Sequence, residues 1–329
     1  MKKKLISLIC ILIIVQLISC KKDKINNPDV YVAGHVFNKT TGNIDAVIWK
    51  NGEKQTMGRL STQTGSSQAT DIFILGNDVF SVGRAFTSSW NVVLWKNGTA
   101  NAITFFGNNS ANSVFVNGAS IYIAGQSNDR AAMWVNGVET ILNTSLSVAN
   151  DIFVSGTDVY VCGQKFNAGV FVRVVWKNGI EIPYVVELDK SSNAKSIKVI
   201  GNDVYVVGNG VNTVGAFPVS KVWKNGIEIT SNIAYLEHVA LYIDDTDIYT
   251  VSRGGFGGAL AAVTKNNISL HEYTATSPNS IFIEGLMVYN KDVYYCGNVN
   301  EGIAKYWKNG QETILQADSS AYCYNVFVK

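Results

Sequence analysis

The chain has 329 residues, with 27 Lys+Arg against 25 Asp+Glu. Lys2, Lys3 and Lys4 stand in the N-terminal leader; without them the balance is 24 cations against 25 acids, a net charge near −1. A near-neutral chain with scattered charge has no electrostatic footprint for nucleic acid, which needs clustered cations against the phosphates.

The leader comes first. Lys2 to Lys4 form a basic start, and Leu5 through Leu17 form an apolar stretch, the pattern of an export signal. The stretch is short for a spanning helix, which needs about 20 apolar residues. It ends Leu17-Ile18-Ser19-Cys20, which resembles the lipobox of bacterial lipoproteins. That resemblance implies cleavage before Cys20 and acylation of Cys20, so the membrane is the first partner, reached through lipid. One acyl chain holds only marginally, at about 0.8 kcal/mol per buried CH₂, and lipoproteins of this type carry three. Lys21-Lys22-Asp23-Lys24 follows. With no aspartate directly after the cysteine, the resemblance implies sorting to the outer membrane, on its periplasmic or its cell-surface side. The expected division is a signal peptide over 1–19, the lipidated cysteine with a polar tether over 20–28, and one domain over 29–329.

That domain repeats a phrase about seven times. One copy runs from Ala149 to Gly163, as Ala-Asn-Asp-Ile-Phe-Val-Ser-Gly-Thr-Asp-Val-Tyr-Val-Cys-Gly, and continues to Val175-Trp176-Lys177-Asn178-Gly179. The Asp-Val-Tyr element starts at Asp29, Asp78, Ser120, Asp158, Asp203, Asp247 and Asp292. The tryptophan element falls at Trp49, Trp95, Trp134, Trp176, Trp223 and Trp307, and has decayed to Val263-Thr264-Lys265-Asn266-Asn267 in the sixth repeat. Each unit holds four short runs rich in β-branched and aromatic residues, bounded by Gly, Asn or Asp. Asn-Gly after Trp-Lys is a strong hairpin signal, because a type I′ turn needs φ > 0 at both central residues. No sustained helical period appears. Four-strand units repeating every 40–45 residues or so predict an all-β fold, a seven-bladed β-propeller with four-stranded antiparallel blades.

The first copy begins at its second strand, Asp29-Val30-Tyr31-Val32, and the chain ends on a lone first strand, Tyr324-Asn325-Val326-Phe327-Val328. The C-terminal strand is therefore expected to complete the N-terminal blade and close the ring, removing open edges. One ring of this kind is expected to be a monomeric domain. Of the cysteines that remain after processing, Cys162 and Cys296 occupy positions held elsewhere by Ala33, Ala124 and Val207, and Cys323 a position held by Ala69, Ala111 and Ala149. They read as buried small side chains; a Cys296–Cys323 disulfide is the alternative. No Cys-x-x-Cys occurs, so zinc and thioredoxin chemistry lack a motif.

Turn lengths separate two faces of the ring. First-to-second connections (Gly76-Asn77, Gly156-Thr157, Gly201-Asn202) and the Asn-Gly turns are short and uniform. Second-to-third and fourth-to-first connections vary, and variable loops on a rigid scaffold are where recognition concentrates. The binding candidates on that face are Arg84, Phe86, Trp90, Arg130, Phe166, Phe217, Arg253 and Phe256, with Phe105-Phe106 beside them. Trp90 lies outside the repeated motif in what reads as a long second-to-third loop. With Phe86 it could stack on a sugar or hold a protein partner, or the pair could pack locally and pin the loop. Asp71, Ser113, Asp151 and Ser196, with Ala240, Ser280 and Asn325, read as first-strand starts that ring the channel mouth. Their side chains could face a ligand or satisfy backbone groups.

Catalytic signatures are sparse. His35, His238 and His271 share no motif, and neither His-Glu-x-x-His nor Gly-x-Ser-x-Gly occurs. Gly254-Gly255-Phe256-Gly257-Gly258 precedes a strand, whereas a phosphate site needs a helix N-terminus. No calcium loop is present, and neither a metal nor another cofactor is expected. Val-Tyr-Val-Ala-Gly and Trp-Lys-Asn-Gly resemble the propeller repeats of Bacteroidota lipoproteins over Asp29 to Lys329; the likeness to WD40 and Kelch repeats is weaker. Such a resemblance implies fold and not activity. Three readings follow: a non-catalytic module that binds a protein or glycan through its variable face, a polysaccharide-acting enzyme, or a structural part of an envelope assembly complex. Clustered acids with an arginine at the channel mouth would favour the enzyme.

Overall fold

The computed structural model describes residues 27–184, 191–211, 218–234, 236–254, 260–275, 280–299, 302–316 and 321–329. Phe217, Phe256 and Cys20 lie outside them. The strands form seven antiparallel four-stranded sheets. The chain is a seven-bladed β-propeller. Blade 1 is built from both ends of the domain: the strand Ala321–Val328 pairs with Val30–Asn38, which pairs with Asn43–Lys50 and then Glu53–Thr56. Closure holds in register, with Val30 opposite Val328 and Val32 opposite Val326. Among the described residues no helix is long and apolar enough to cross a membrane.

The two repeated motifs are parts of one device. Asn51, the first residue of the blade 1 Asn-Gly turn, accepts the Val30 N–H on Oδ1 at 2.8 Å and donates Nδ2 to Asp29 at 2.7 Å. Lys50 pairs with the same carboxylate at 2.8 Å and lies over the Tyr31 ring. The clasp recurs with Asp78–Lys96–Asn97, Asp158–Lys177–Asn178, Asp203–Lys224–Asn225, Asp247–Lys265–Asn266 and Asp292–Lys308–Asn309. Asp-Val-Tyr therefore locks onto Lys-Asn across the blade. In blade 3 aspartate and lysine have gone together, to Ser120 and Val135, while Asn136 still accepts from Ile121. The sixth blade keeps its clasp although Thr264 replaces tryptophan; the Thr250 and Thr264 hydroxyls bond at 2.8 Å inside the sheet. Asn267 takes the usual glycine place at φ +64°.

The six motif tryptophans are buried between blades. Each inner strand carries a β-bulge, as between Ala69 and Asp71 or Ala149 and Asp151. The bulge pushes a carbonyl toward the second strand, where a Cβ on Gly83 or Gly163 would collide with the Gln68 or Val148 carbonyl oxygen. Close approach explains the glycine that ends Val-Tyr-Val-x-Gly. Blade 6 departs from this at two residues at once: Ser252 replaces the glycine, His238 the alanine, and Ser252 Oγ bonds His238 Nδ1 at 2.7 Å. Cys162, Cys296 and Cys323 are buried free thiols. The alternative Cys296–Cys323 disulfide is not formed; Cys323 donates its S–H to the Gly297 carbonyl at 2.9 Å.

Candidate functional site: the axial channel and its variable-face mouth

The inner strands enclose an axial cavity of ≈ 720 Å³, within the 300–1,000 Å³ or so typical of ligand pockets. Its wall follows from the bulges. The extra residue of each inner strand stands on the channel: Thr70, Asn112, Asn150, Lys195, Val239, Glu284 and Tyr324.

Below that ring lies a belt of carboxylates. Asp71 sits mid-strand in Ser67–Leu75 and Asp151 mid-strand in Ser147–Ser155, so these residues are not strand starts and line the middle of the channel. The strand begins earlier because four residues ahead of Ile-Phe-Val already pair. In the seventh blade Gly285, not Ser280, holds the matching place after the bulge. Asp71 accepts the N–H of Ile72 and, from the next blade, of Val114, both at 2.7 Å, and bonds the Asn325 amide. Asp151 accepts Ser113 Oγ at 2.8 Å, Ser196 Oγ at 2.7 Å and the Ile197 N–H at 2.9 Å. Each carboxylate thus ties its blade to the next. Burial pushes the Asp71 carboxyl up to about 6 against the bonds it accepts. Toward the uniform face the wall becomes apolar, with Phe327, Phe73, Phe115 and Phe153 in successive ring contacts of 5.3, 5.0 and 5.1 Å, and Lys198 over Phe153.

Toward the variable face the wall is charged. Lys195 pairs with Glu237 at 3.2 Å, and Arg253 lies between Glu237 at 4.0 Å and Glu284, with which it forms an ion pair. Three blades supply these four side chains. Of the sequence candidates among the described residues, only Arg253 belongs to this cluster. Arg84, Phe86 and Trp90 form a separate stack. Phe86 faces Trp90 across a hairpin whose loop is only Thr87-Ser88-Ser89, so the expected long loop is absent. The Phe86 and Trp90 rings meet edge-on at 5.4 Å. The Arg84 guanidinium covers Trp90 at 4.3 Å and donates Nε to Gln68 at 2.9 Å. Arg130 begins the third strand of blade 3. Phe166 is 44% exposed and lies edge-on to Phe171. Phe105 and Phe106 protrude, 68% and 83% exposed, on the connection from blade 2 to blade 3. Asn109 holds that loop by donating to the Phe106 carbonyl at 2.7 Å.

His35 and His238 are buried. Burial first, then the Arg84 charge, holds His35 down to about 4; burial likewise holds His238 at about 4. Both imidazoles are neutral packing groups, His35 beside the Tyr324 hydroxyl at 3.1 Å. Among the described residues no three His, Cys, Asp or Glu side chains converge as a metal site.

No protein-family model and no curated protein matches the sequence. Solved structures do match. A Bacteroides fragilis protein described as a candidate 6-phosphogluconolactonase aligns at TM-score 0.52 and 10% identity, covering 92% of this chain and 98% of its own. A Bacteroides uniformis protein of the same description aligns at 0.50 and 12% identity, over 92% and 100%. The β-propeller domain of the trilobed protease from Pyrococcus furiosus aligns at 0.55 and 10% identity, over 88% and 94%. That domain is described as having an open velcro topology; here the C-terminal strand closes blade 1. At such identities the likeness is one of fold.

Proposed function

We propose that the protein is a recognition and scaffold module, held at the outer membrane by acylated Cys20, which binds a protein or glycan partner with its variable-loop face. The observation that carries this reading is the polarity of the channel. Its variable-face end is lined by Lys195, Arg253 and Glu284, with Glu237 paired to Lys195 and Arg253, and its other end by an arc of phenylalanines. A partner can thus be oriented by charge at the mouth, with Phe105 and Phe106 offering an exposed aromatic contact on the rim. Phe86 and Trp90 act in this reading as a buttress under Arg84. The test is crosslinked capture from native membranes. Phe105→Ala with Phe106→Ala is expected to weaken capture at least tenfold, about 1.4 kcal/mol, while Thr99→Ala on the uniform face leaves it unchanged. Equal loss from both faces, with melting intact, removes the variable face as the binding surface. Anchoring is tested separately: Cys20→Ala should release the protein from membrane fractions.

One observation favours a second reading, a polysaccharide-acting enzyme: Arg253 stands between two carboxylates in the channel. Against it, Glu237 is already paired with Lys195 and Arg253, and a general acid needs a proton free to give. Polysaccharide turnover that disappears in Glu284→Gln would establish the enzyme.

A further inference from the structure

We propose that the uniform turn face lies flat on the lipid surface, seated by Val138, Ile180, Ile227 and Ile268. The proposal rests on the acylation of Cys20 and adds the orientation. Inner strands run from the variable to the uniform face, so second strands begin on the uniform face. Asp29, where the tether meets the fold, is pinned there: it exchanges backbone bonds with Lys329 at 2.9 and 3.1 Å, and its side chain holds Asn51 of the blade 1 turn. Nine residues from Cys20 to Asp29 reach at most roughly 30 Å. The acyl group is therefore held within about that distance of Asp29, whose attachment point lies on the uniform face.

A single tether in one blade would leave the disc free to tilt. The rim of blades 3 to 6 carries the second contact. The residue directly after the third-to-fourth turn is Val138, Ile180, Ile227 and Ile268 in blades 3 to 6, and these side chains are 71%, 75%, 71% and 70% exposed. In blades 1, 2 and 7 the same place holds Glu53, Thr99 and Gln311. The apolar residues thus form one continuous arc, away from the tethered blade. Isolated exposed apolar residues need no explanation, but four at one structural position in consecutive blades form a repeated pattern along that rim. The turn lysines Lys177 and Lys224 are neutralised by their clasp aspartates, Asp158 and Asp203, both at 2.7 Å, and in the turns of blades 6 and 7 Lys291 offsets part of the charge of Asp244 and Asp245. Lipid at blade 1 and β-branched side chains along the rim of blades 3 to 6 would hold the disc in the interface plane, as amphipathic surfaces are held. The charged channel mouth and Phe105-Phe106 would then point away from the membrane.

The experiment uses the full lipidated chain in phosphatidylethanolamine–phosphatidylglycerol vesicles. A fluorophore is placed at Ile180→Cys or Ile227→Cys, and at Ser88→Cys in an exposed loop of the variable face. The native thiols Cys162, Cys296 and Cys323 are buried and do not compete. A nitroxide in the lipid should quench positions 180 and 227 severalfold more than position 88, and aqueous iodide should show the reverse order. Vesicle-bound protein that quenches alike at all three positions overturns the orientation and leaves the anchor standing. Protection from both quenchers at 180 and 227 means that a protein covers the arc, and also overturns it. A chain that floats no better than Cys20→Ala refutes the anchor, and the orientation falls with it.

Discussion

Removing Tyr324 to Lys329 should destroy the independent stability of the ring. The deleted segment pairs with blade 1 from Ala33 to Val30 and buries Val326 and Val328 to 2% and 1% exposure. Those two side chains alone contribute roughly 3–6 kcal/mol, at about 1.5–3 kcal/mol each. Phe327 and Tyr324 add partial burial, and Asp71 loses the Asn325 amide that helps hold a carboxylate in the interior. The total approaches the roughly 5–15 kcal/mol that a folded domain has in all. The new edge, Val30–Asn38, would also expose unpaired backbone beside an apolar core. Thermal and urea unfolding followed by tryptophan fluorescence measure the loss, since Trp49 packs in the same cluster as Val326 and Val328. At about 2–4 °C per kcal/mol or somewhat less for a large domain, the truncated chain should melt at least ~10 °C lower or fail to fold. Val328→Ala gives a graded version and should cost roughly 2 kcal/mol, from two methyl groups and the cavity they leave. A truncated protein that melts within a few degrees of the intact chain would refute closure by the C-terminal strand.

Further outcomes can be checked by similar means. The clasp aspartates Asp29, Asp78, Asp158, Asp203, Asp247 and Asp292 are held below the usual carboxylate range by the lysine and asparagine bonds. Their contribution is present above the ordinary value near 3.8 and is lost as pH falls through the folded values; high salt should weaken the clasps. Ser120→Asp with Val135→Lys should rebuild the missing clasp, raising the urea midpoint more than the two single changes do together. His35 and His238, held at about 4, stabilise the fold above their ordinary value of 6.5, and that stability is lost as pH falls toward 4. Asp71, raised to about 6, has the opposite sign: its contribution is complete below 3.8 and is lost as pH rises through 6. In urea titrations from pH 7 to 4.5, His238→Asn should flatten the acid loss and Asp71→Asn should steepen it. Burial pushes the Cys162 and Cys296 thiols well up, so a thiol reagent should react slowly with native protein and quickly after unfolding.

Local chemistry was legible in the sequence wherever neighbours along the chain decide the structure. Seven Asp-Val-Tyr starts, the Asn-Gly turns and the lone final strand specify blade number, turn placement and closure, because a turn residue with φ > 0 and a β-branched run act within a few residues. That Asp-Val-Tyr and Lys-Asn form one clasp is readable in outline from blade 3, where Ser120 and Val135 changed together. Strand register decided the rest. An added residue between Ala69 and Asp71 does not show in the sequence as a bulge. Pairing that extends back to Ser67 places Asp71 at mid-channel instead of at the expected mouth, while the bulge turns Thr70 and its counterparts onto the wall and makes the following strand need glycine. The same extension of pairing converted the expected Phe86–Trp90 loop into a hairpin stack. Lys195, Glu237, Arg253 and Glu284 carry no common motif. They meet because the inner strands that carry Lys195, Glu237 and Glu284 pack around one axis and the second strand of blade 6 brings Arg253 beside them, and only tertiary structure brings charges so distant in sequence into one cluster.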